Sequence, residues 1–513
     1  MIEARQLSRQ TYDVRLPPTH ELRASGGDER IQIDLRRGVN KSGCRVIPDD
    51  RIAGFGSSTA STISQIGFTA ADRLRSRLLD TINVSVASSH ARKVDRLRLD
   101  ICNACNLPSN IARNIIFAPS GTGVHAIASR LWSNAVGGRT LVVMVQRSET
   151  GSGVRPARKA NVTAIVSPLR RHGLDREDAD QIDVVEIPIR HADGRQRSSD
   201  AVDDEVESLL LRFGKGYQAV LLVLTDVSKT GLLAPSPQIA PALRERWPYT
   251  IGILVDARQL RLKSETLHAY LENQCLVAIT GSKFPGGPAF SGALLVPNGL
   301  IDRFSYRHTD PAFQLISSRA ERPNDWPGAE SLISPPNYGL LLRLTATLEE
   351  LGRFKTLADN SITDFVSEFG PIIAKRLESN PVFAPLKSSP LNRARLPEPE
   401  SCDRLLTIFP FLLHHDKQAQ KRTPFSSAET RRVCDALSSD LCQDTRFQRI
   451  DDPILGFCCQ AGEPVQCGSR NETEKSALRL CLSAPSITQI VSGNGARVID
   501  HGLTALDKIA FLA

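Results

Sequence analysis

The chain has 513 residues, 41% of them hydrophobic and 23% charged, ordinary values for a globular protein with room for two or more domains. No apolar run reaches the roughly 18–20 residues of a membrane span, and the first residues carry charges without the apolar stretch of a secretory signal, so the expected location is cytoplasmic. The net charge of +8 is spread without a basic stripe or a nucleic-acid motif, which argues against nucleic acid as a partner and suits small phosphate-bearing ligands.

Residues 1–50 are polar and rich in Arg, Asp and Gly, and are predicted to form an N-terminal arm. From 51 onward the pattern is α/β. Residues 68–79 have helical spacing. Seven short apolar runs follow, at 114–118, 140–146, 184–189, 219–224, 251–255, 276–280 and 291–296, separated by helical or polar stretches. Short continuous apolar runs joined by crossovers predict a mostly parallel seven-stranded sheet covered on both faces. The Arg-rich stretch 151–183 and the polar stretch 190–205 are expected to be surface excursions. After Pro335 and Pro336 the texture changes. Residues 337–354 have the spacing of a long amphipathic helix, expected to link a large domain, 51–335, to a smaller α+β domain within 336–513. There 388–401 is a Pro-rich loop, 405–412 and 477–483 are strands, and 503–512 a helix. The eleven cysteines are odd in number and scattered, unlike a secreted disulfide framework. Cys102 and Cys105 form a lone CxxC with no second ligand pair, so no metal is expected.

Three motifs stand at predicted strand ends. The first is Ser120-Gly121-Thr122, between a strand and a helix. A helix N-terminus has unpaired N–H groups and attracts anions; Ser120 and Thr122 are equally suited to plain capping. The second is Asp256, closing the run 251–255 and followed by Ala257, Arg258 and Gln259. A strand-end Asp is a turn former or the partner of a cation, and a nearby carboxylate keeps a pyridine nitrogen protonated. The third is Thr280-Gly281-Ser282-Lys283-Phe284-Pro285-Gly286-Gly287. A lysine directly after an apolar strand among hydroxyls and glycines is poorly explained as a solvated charge, and desolvated lysines become nucleophilic amines.

The order strand-SGT-helix, strand-D-A-x-Q, strand-T-G-S-K-F-x-G-G resembles the class V aminotransferase and cysteine desulfurase group, with its kynureninase-like relatives. The resemblance covers residues 51–335 well and the rest loosely. It implies the aspartate-aminotransferase-like architecture, fold type I of the pyridoxal 5'-phosphate (PLP) enzymes, in a homodimer. It implies that Ser120, Gly121 and Thr122 cradle the PLP phosphate with hydroxyls from Thr280 and Ser282. Asp256, with Gln259 beside it, holds the pyridine nitrogen, and Lys283 forms the internal aldimine. Residues 224–235 resemble the loop whose polar residue meets cofactor or substrate; Ser228 is the candidate, with Lys229 behind it, and an ordinary turn is the alternative. Arg479, in the apolar strand 477–483, resembles the arginine that grips a substrate carboxylate, with an internal salt bridge as the alternative.

The chain also departs from the pattern. No aromatic follows the strand 141–146, so the ring-stacking residue is unassigned; His125 lies close in sequence to the Ser-Gly-Thr turn. Near the expected persulfide cysteine, Ala461 takes the aligned position and Cys458 and Cys459 come early. Residues 54–59, rich in Gly and hydroxyls, are expected to close over the site. The expected function is that of a PLP enzyme acting on an amino acid, first an aminotransferase. The alternatives are a cysteine desulfurase or C–S/C–C lyase and, from another class, a non-catalytic scaffold of the same fold.

Overall fold

All seven apolar runs become strands of one sheet. In chain order, after β1 (Ile33–Asp34), β2 (Val39–Asn40) and β3 (Ile52–Phe55), they are β4 (Ile115–Ala118), β5 (Thr140–Val145), β6 (Ile182–Ile187), β7 (Ala219–Thr225), β8 (Ile251–Asp256), β9 (Leu276–Thr280) and β10 (Gly292–Leu295). This computed structural model describes residues 16–513 except 28, 82–85, 151–181, 214–215, 306–315, 327–328, 333–335, 394–395, 397–401, 416–422 and 471–472. Nearly all of the Arg-rich excursion, the start of the N-terminal arm and the end of the Pro-rich loop therefore lie outside the described residues.

The strand order is β4-β10-β9-β8-β7-β5-β6. β10 is antiparallel to both of its neighbours and every other pair is parallel. Successive side chains point to opposite faces of a strand. Accordingly Ile115 and Phe117, Leu141 and Val143, Val220 and Leu222 enter one core cluster, while Ile116, Val142, Met144, Leu221 and Val223 enter the other. A sheet buried on both faces leaves no position for a polar interruption. Each fully buried Leu, Ile or Val contributes roughly 1.5–3 kcal/mol, which is why these runs were legible. Because β4 and β9 both oppose β10, the carboxyl ends of β4, β9, β8, β7 and β5 open on one edge.

The polar stretch expected at 190–205 is partly a helix, Ser199–Phe213. Its composition is dominated by a solvent face with Asp200 and Glu207, whereas Val202, Val206 and Leu210, spaced by four, dock into the core. The long helix after the Pro pair is Tyr338–Lys355, and the Asn337 side chain caps it by accepting from Leu340 N at 3.0 Å.

A second sheet contains β11 (Phe383–Pro385), β12 (Ile408–Leu413), β13 (Cys458–Arg470) and β14 (Thr473–Cys481), in the order β11-β12-β14-β13-β3. Residues 52–55 thus join the C-terminal sheet, although they stand at the head of the segment that builds the large one. β3 runs parallel to β13, with Ala461 opposite Phe55. The sequence of β13 carries Gly, Pro and no clean alternation. Register shifts between Gly462 and Val465 and between Gln466 and Ser469 absorb these residues, and pairing on both sides makes the strand. Phe365, Phe369, Phe411, Leu480 and Leu506 fill the core behind it. The closing helix begins earlier than expected, at Gly495, and ends at Leu512. Among the described residues no helix is long and apolar enough to cross a membrane.

Candidate functional site

The carboxyl edge of the large sheet faces β13 and β14, and a cavity of about 140 Å³ lies between them. The large sheet contributes Ser120, Gly121, Thr122, Thr280, Ser282, Lys283 and Arg258. The loop after β7 contributes Lys229, the second sheet Glu463, Val465 and Arg479, and the N-terminal segments Arg30, Lys41 and Thr59. A larger cavity, about 320 Å³, is lined mostly by apolar groups such as Leu260, Phe284, Phe354 and Leu405. Of the three strand-end motifs only the apolar Phe284 reaches it, and none of their polar residues does, so the smaller, polar cavity is where chemistry is placed.

Ser120 is extended, and its hydroxyl accepts from Gly123 N at 3.2 Å, capping the helix Gly121–Val136. The capping role is therefore real, and it also fixes the helix N-terminus at the cavity wall. At Gly121 a Cβ would lie 2.5 Å from Arg258 Cδ and 3.1 Å from Thr280 Cγ2, so any larger residue would close this end. The Thr122 hydroxyl accepts from Arg30 Nη2 at 3.2 Å, and Thr280 Oγ1 donates to Arg258 O at 2.8 Å.

Asp256 is buried at the end of β8. Arg258 forks it, with Nε 2.5 Å from Oδ1 and Nη2 2.5 Å from Oδ2. His125 Nε2 stands 3.3 Å from Oδ2, so His125 packs on this carboxylate. Burial pushes the Asp256 pKa up, but Arg258 and His125 outweigh it and hold the carboxyl well below the usual range. The fork by Arg258, two residues along, was not anticipated.

Lys283 Nζ donates to Ser58 O at 3.0 Å, and Gln259 Nε2 donates to the same carbonyl at 3.0 Å. Burial, then the charges of Lys229, Arg258 and Arg479, lower the Lys283 pKa well below that of an ordinary lysine. A neutral amine is thereby favoured, the nucleophilic form. Ser58 and Thr59 belong to the segment 54–59 expected to close over the site, and Thr59 does line the cavity. Gln259 lies behind that wall.

Arg479 is fully buried on β14. Its Nη1 donates to Lys229 O at 3.2 Å, and Nη2 donates to Thr59 Oγ1 at 2.9 Å and to Glu463 O. Its Nε has no hydrogen-bond partner, and no carboxylate pairs with it among the described residues. The internal salt bridge considered from sequence is thus not found there.

Ser228 points away from the cavity. Its hydroxyl donates to Glu149 Oε2 at 2.9 Å, in a buried network where Arg190 Nε pairs with Glu149 at 2.8 Å and Thr230 Oγ1 also donates. Its neighbour Lys229 turns the other way and lines the cavity. Cys459 lies in the core of the second sheet, its thiol pushed up to about 12 by burial. Cys458 pairs opposite Ile52 on the same strand. Among the described residues no cysteine lines the cavity. Cys102 and Cys105 are packed into the large core.

No family model and no curated protein matches the chain. Solved structures do. The cystine C–S lyase C-DES, in complex with its product cysteine persulfide, superposes with a TM-score of 0.52 at 13% identity over 88% of this chain and 98% of that one. The cysteine desulfurase CsdA from Escherichia coli gives 0.51 at 15% identity, covering 90% of this chain and 96% of that one. A NifS-like protein from Rickettsia africae gives 0.51 at 13% identity over 90% and 99%. At these identities the likeness is one of fold. The architecture is the aspartate-aminotransferase-like one, fold type I, that the strand-end motifs implied.

Proposed function

We propose that the protein is a PLP-dependent enzyme acting on an amino acid, with Lys283 as the amine that carries the cofactor, and that its reaction is lyase cleavage rather than transamination. One observation carries the reading: a helix N-terminus, a lysine with a depressed pKa and a buried guanidinium without an ion pair among the described residues share one cavity at the sheet's carboxyl edge. The lyase preference rests on the neighbours, a C–S lyase and a cysteine desulfurase, and a C-DES variant holds glycine covalently linked to its PLP. The lack of a cysteine in the cavity among the described residues favours a lyase over a desulfurase that stores sulfur on its own thiol. The same reading takes 51–335 as the cofactor-binding domain, 336–513 as linker helix and smaller domain, and the assembly as a homodimer.

The residues fit the cofactor at two ends. The space left at Gly121, the Thr122 and Ser282 hydroxyls and the Arg30 guanidinium suit a phosphate, and Lys283 suits an aldehyde. At the third, Asp256 meets a ring nitrogen only if Arg258 gives up one carboxylate oxygen. When bound, the group supplies an electron sink for the substrate's α-carbon. Lys283 then removes the proton from that carbon and returns it where the reaction requires. Arg479 aligns the substrate carboxylate, Asp256 keeps a negative charge at the ring end, and Thr59 with Glu463 and Val465 walls the cavity against water.

Two measurements test this. Borohydride treatment of the PLP-loaded protein should leave a reduced adduct that peptide mapping places on Lys283, and Lys283→Ala should abolish it while the chain stays folded. An adduct on another lysine sinks the assignment. An amino-acid panel should then yield keto acid and ammonia in equal amounts without an added amino acceptor. Keto acid that forms only when an acceptor is supplied, without ammonia, restores transamination.

A further inference from the structure

We propose that the substrate is a doubly anionic amino acid, its α-carboxylate held by Arg479 and a second acidic group on its side chain held by Lys229. This rests on the amino-acid reading of the site. The cavity wall carries five cationic side chains, Arg30, Lys41, Lys229, Arg258 and Arg479, and the Lys283 amine, against a single carboxylate, Glu463. Asp256, below the wall, is already matched by Arg258. Glu463 is turned toward Arg431, with 3.7 Å between Oε2 and Nη2.

The cations divide by position. Arg30 sits at the helix N-terminus through Thr122, on the side suited to a phosphate. Lys283 is the reacting amine. Arg479 and Lys229 stand together on the opposite side, joined through the Lys229 carbonyl. The Lys229 ammonium makes no hydrogen bond or ion pair among the described residues, the carboxylates of Glu463 and Glu149 acting on it only from beyond contact, and Arg479 keeps an orphaned Nε. Burial, then Arg479, lowers the Lys229 pKa to about 8, so at neutral pH the amine is still mostly protonated and is strained by its cationic neighbours. A monocarboxylate would satisfy one of these two cations and leave the other uncompensated in a partly buried place, which is costly. A second acidic group closes the balance. The segment Ser228-Lys229-Thr230 is built for this division of labour: Ser228 and Thr230 turn inward to Glu149, and the lysine between them faces the cavity.

The test uses unreactive ligands, so that binding is read apart from turnover. Calorimetry on the PLP-loaded protein compares succinate, two carboxylates and no amine, with butyrate, one carboxylate. Succinate should bind about tenfold or more tightly than butyrate, the scale of one added charge pair. In Lys229→Met that preference should fall to near unity with butyrate affinity unchanged, and Lys229→Arg should retain it. Equal affinities in the natural chain overturn the proposal. So does a Lys229→Met variant that weakens both ligands alike, which would make Lys229 a structural residue. The cofactor is scored separately by its adduct on Lys283. A chain that takes up no PLP yet prefers succinate defeats the enzyme reading and supports the dianion site. A chain that takes up PLP and does not discriminate does the reverse.

Discussion

Two groups of buried charges lie side by side at the carboxyl edge of the large sheet, and they are wired in opposite ways. In the first, every charge is answered. Arg190 pairs with Glu149 at 2.8 Å, and Arg393 pairs with Asp226 at 2.7 Å, all four side chains at most 1% exposed. Tyr270 Oη also donates to Asp226, at 2.7 Å. In the second, the basic groups are left without an ion pair among the described residues. Lys229, Lys283 and Arg479 share one cavity, burial lowers the pKa of all three, Arg479 lowers that of Lys229 further, and Lys229 and Arg479 both lower that of Lys283. The chain passes from one group to the other within three residues, Asp226 to Lys229. Paired charge holds a fold together, and charge without a partner waits for a ligand. Burial is common to both, so burial alone does not separate them.

The largest effect that would break this contrast concerns stability. Arg393→Ala leaves Asp226 buried without its cation and should cost about 3–5 kcal/mol. Arg479→Met removes hydrogen bonds to neutral acceptors but no counter-charge, and should cost no more than about 1–3 kcal/mol while abolishing the preference for carboxylate ligands. Denaturant titration of the two variants decides it, and equal losses would erase the distinction.

Arg258 lies on the boundary between the groups, because it answers Asp256 yet lines the cavity. If it competes with the cofactor for that carboxylate, Arg258→Ala should tighten PLP binding by about tenfold, the equivalent of one lost competing charge contact, and lower the melting temperature of the cofactor-free protein. Weaker PLP binding would instead make Arg258 a cofactor ligand. Fluorescence titration gives the sign.

The smallest effect sharpens the first group. Ser228→Ala removes one hydrogen bond to Glu149, which keeps its other partners, and the acceptor of Leu232 N, and should cost about 1–2 kcal/mol without changing PLP affinity. A cofactor affinity that falls with this substitution would return Ser228 to the site.

The sequence by itself determined the large sheet and the three strand-end motifs. A two-sided parallel strand has no room for polar residues, so runs such as 219–224 announce themselves, and the residues that follow them must emerge at one edge. That placed Ser120, Gly121, Thr122, Thr280, Ser282 and Lys283 on one cavity wall before any contact was known. What only the tertiary structure decided depends on which way a side chain turns and on what comes from far along the chain. Ser228 and Lys229 are adjacent, and no local rule says which one faces the core. Arg258 reads as an ordinary surface arginine until its fork onto Asp256 is seen. Thr59 and Glu463 reach the cavity because β3 pairs with β13 from the other end of the chain, and Arg30 reaches it from the N-terminal segment through Thr122. β13 itself has no alternating pattern to betray it. One of its edges pairs with β14, next in the chain, but the other is satisfied by β3 from the far end of the sequence, and long-range pairing of that kind is a property of the folded chain alone.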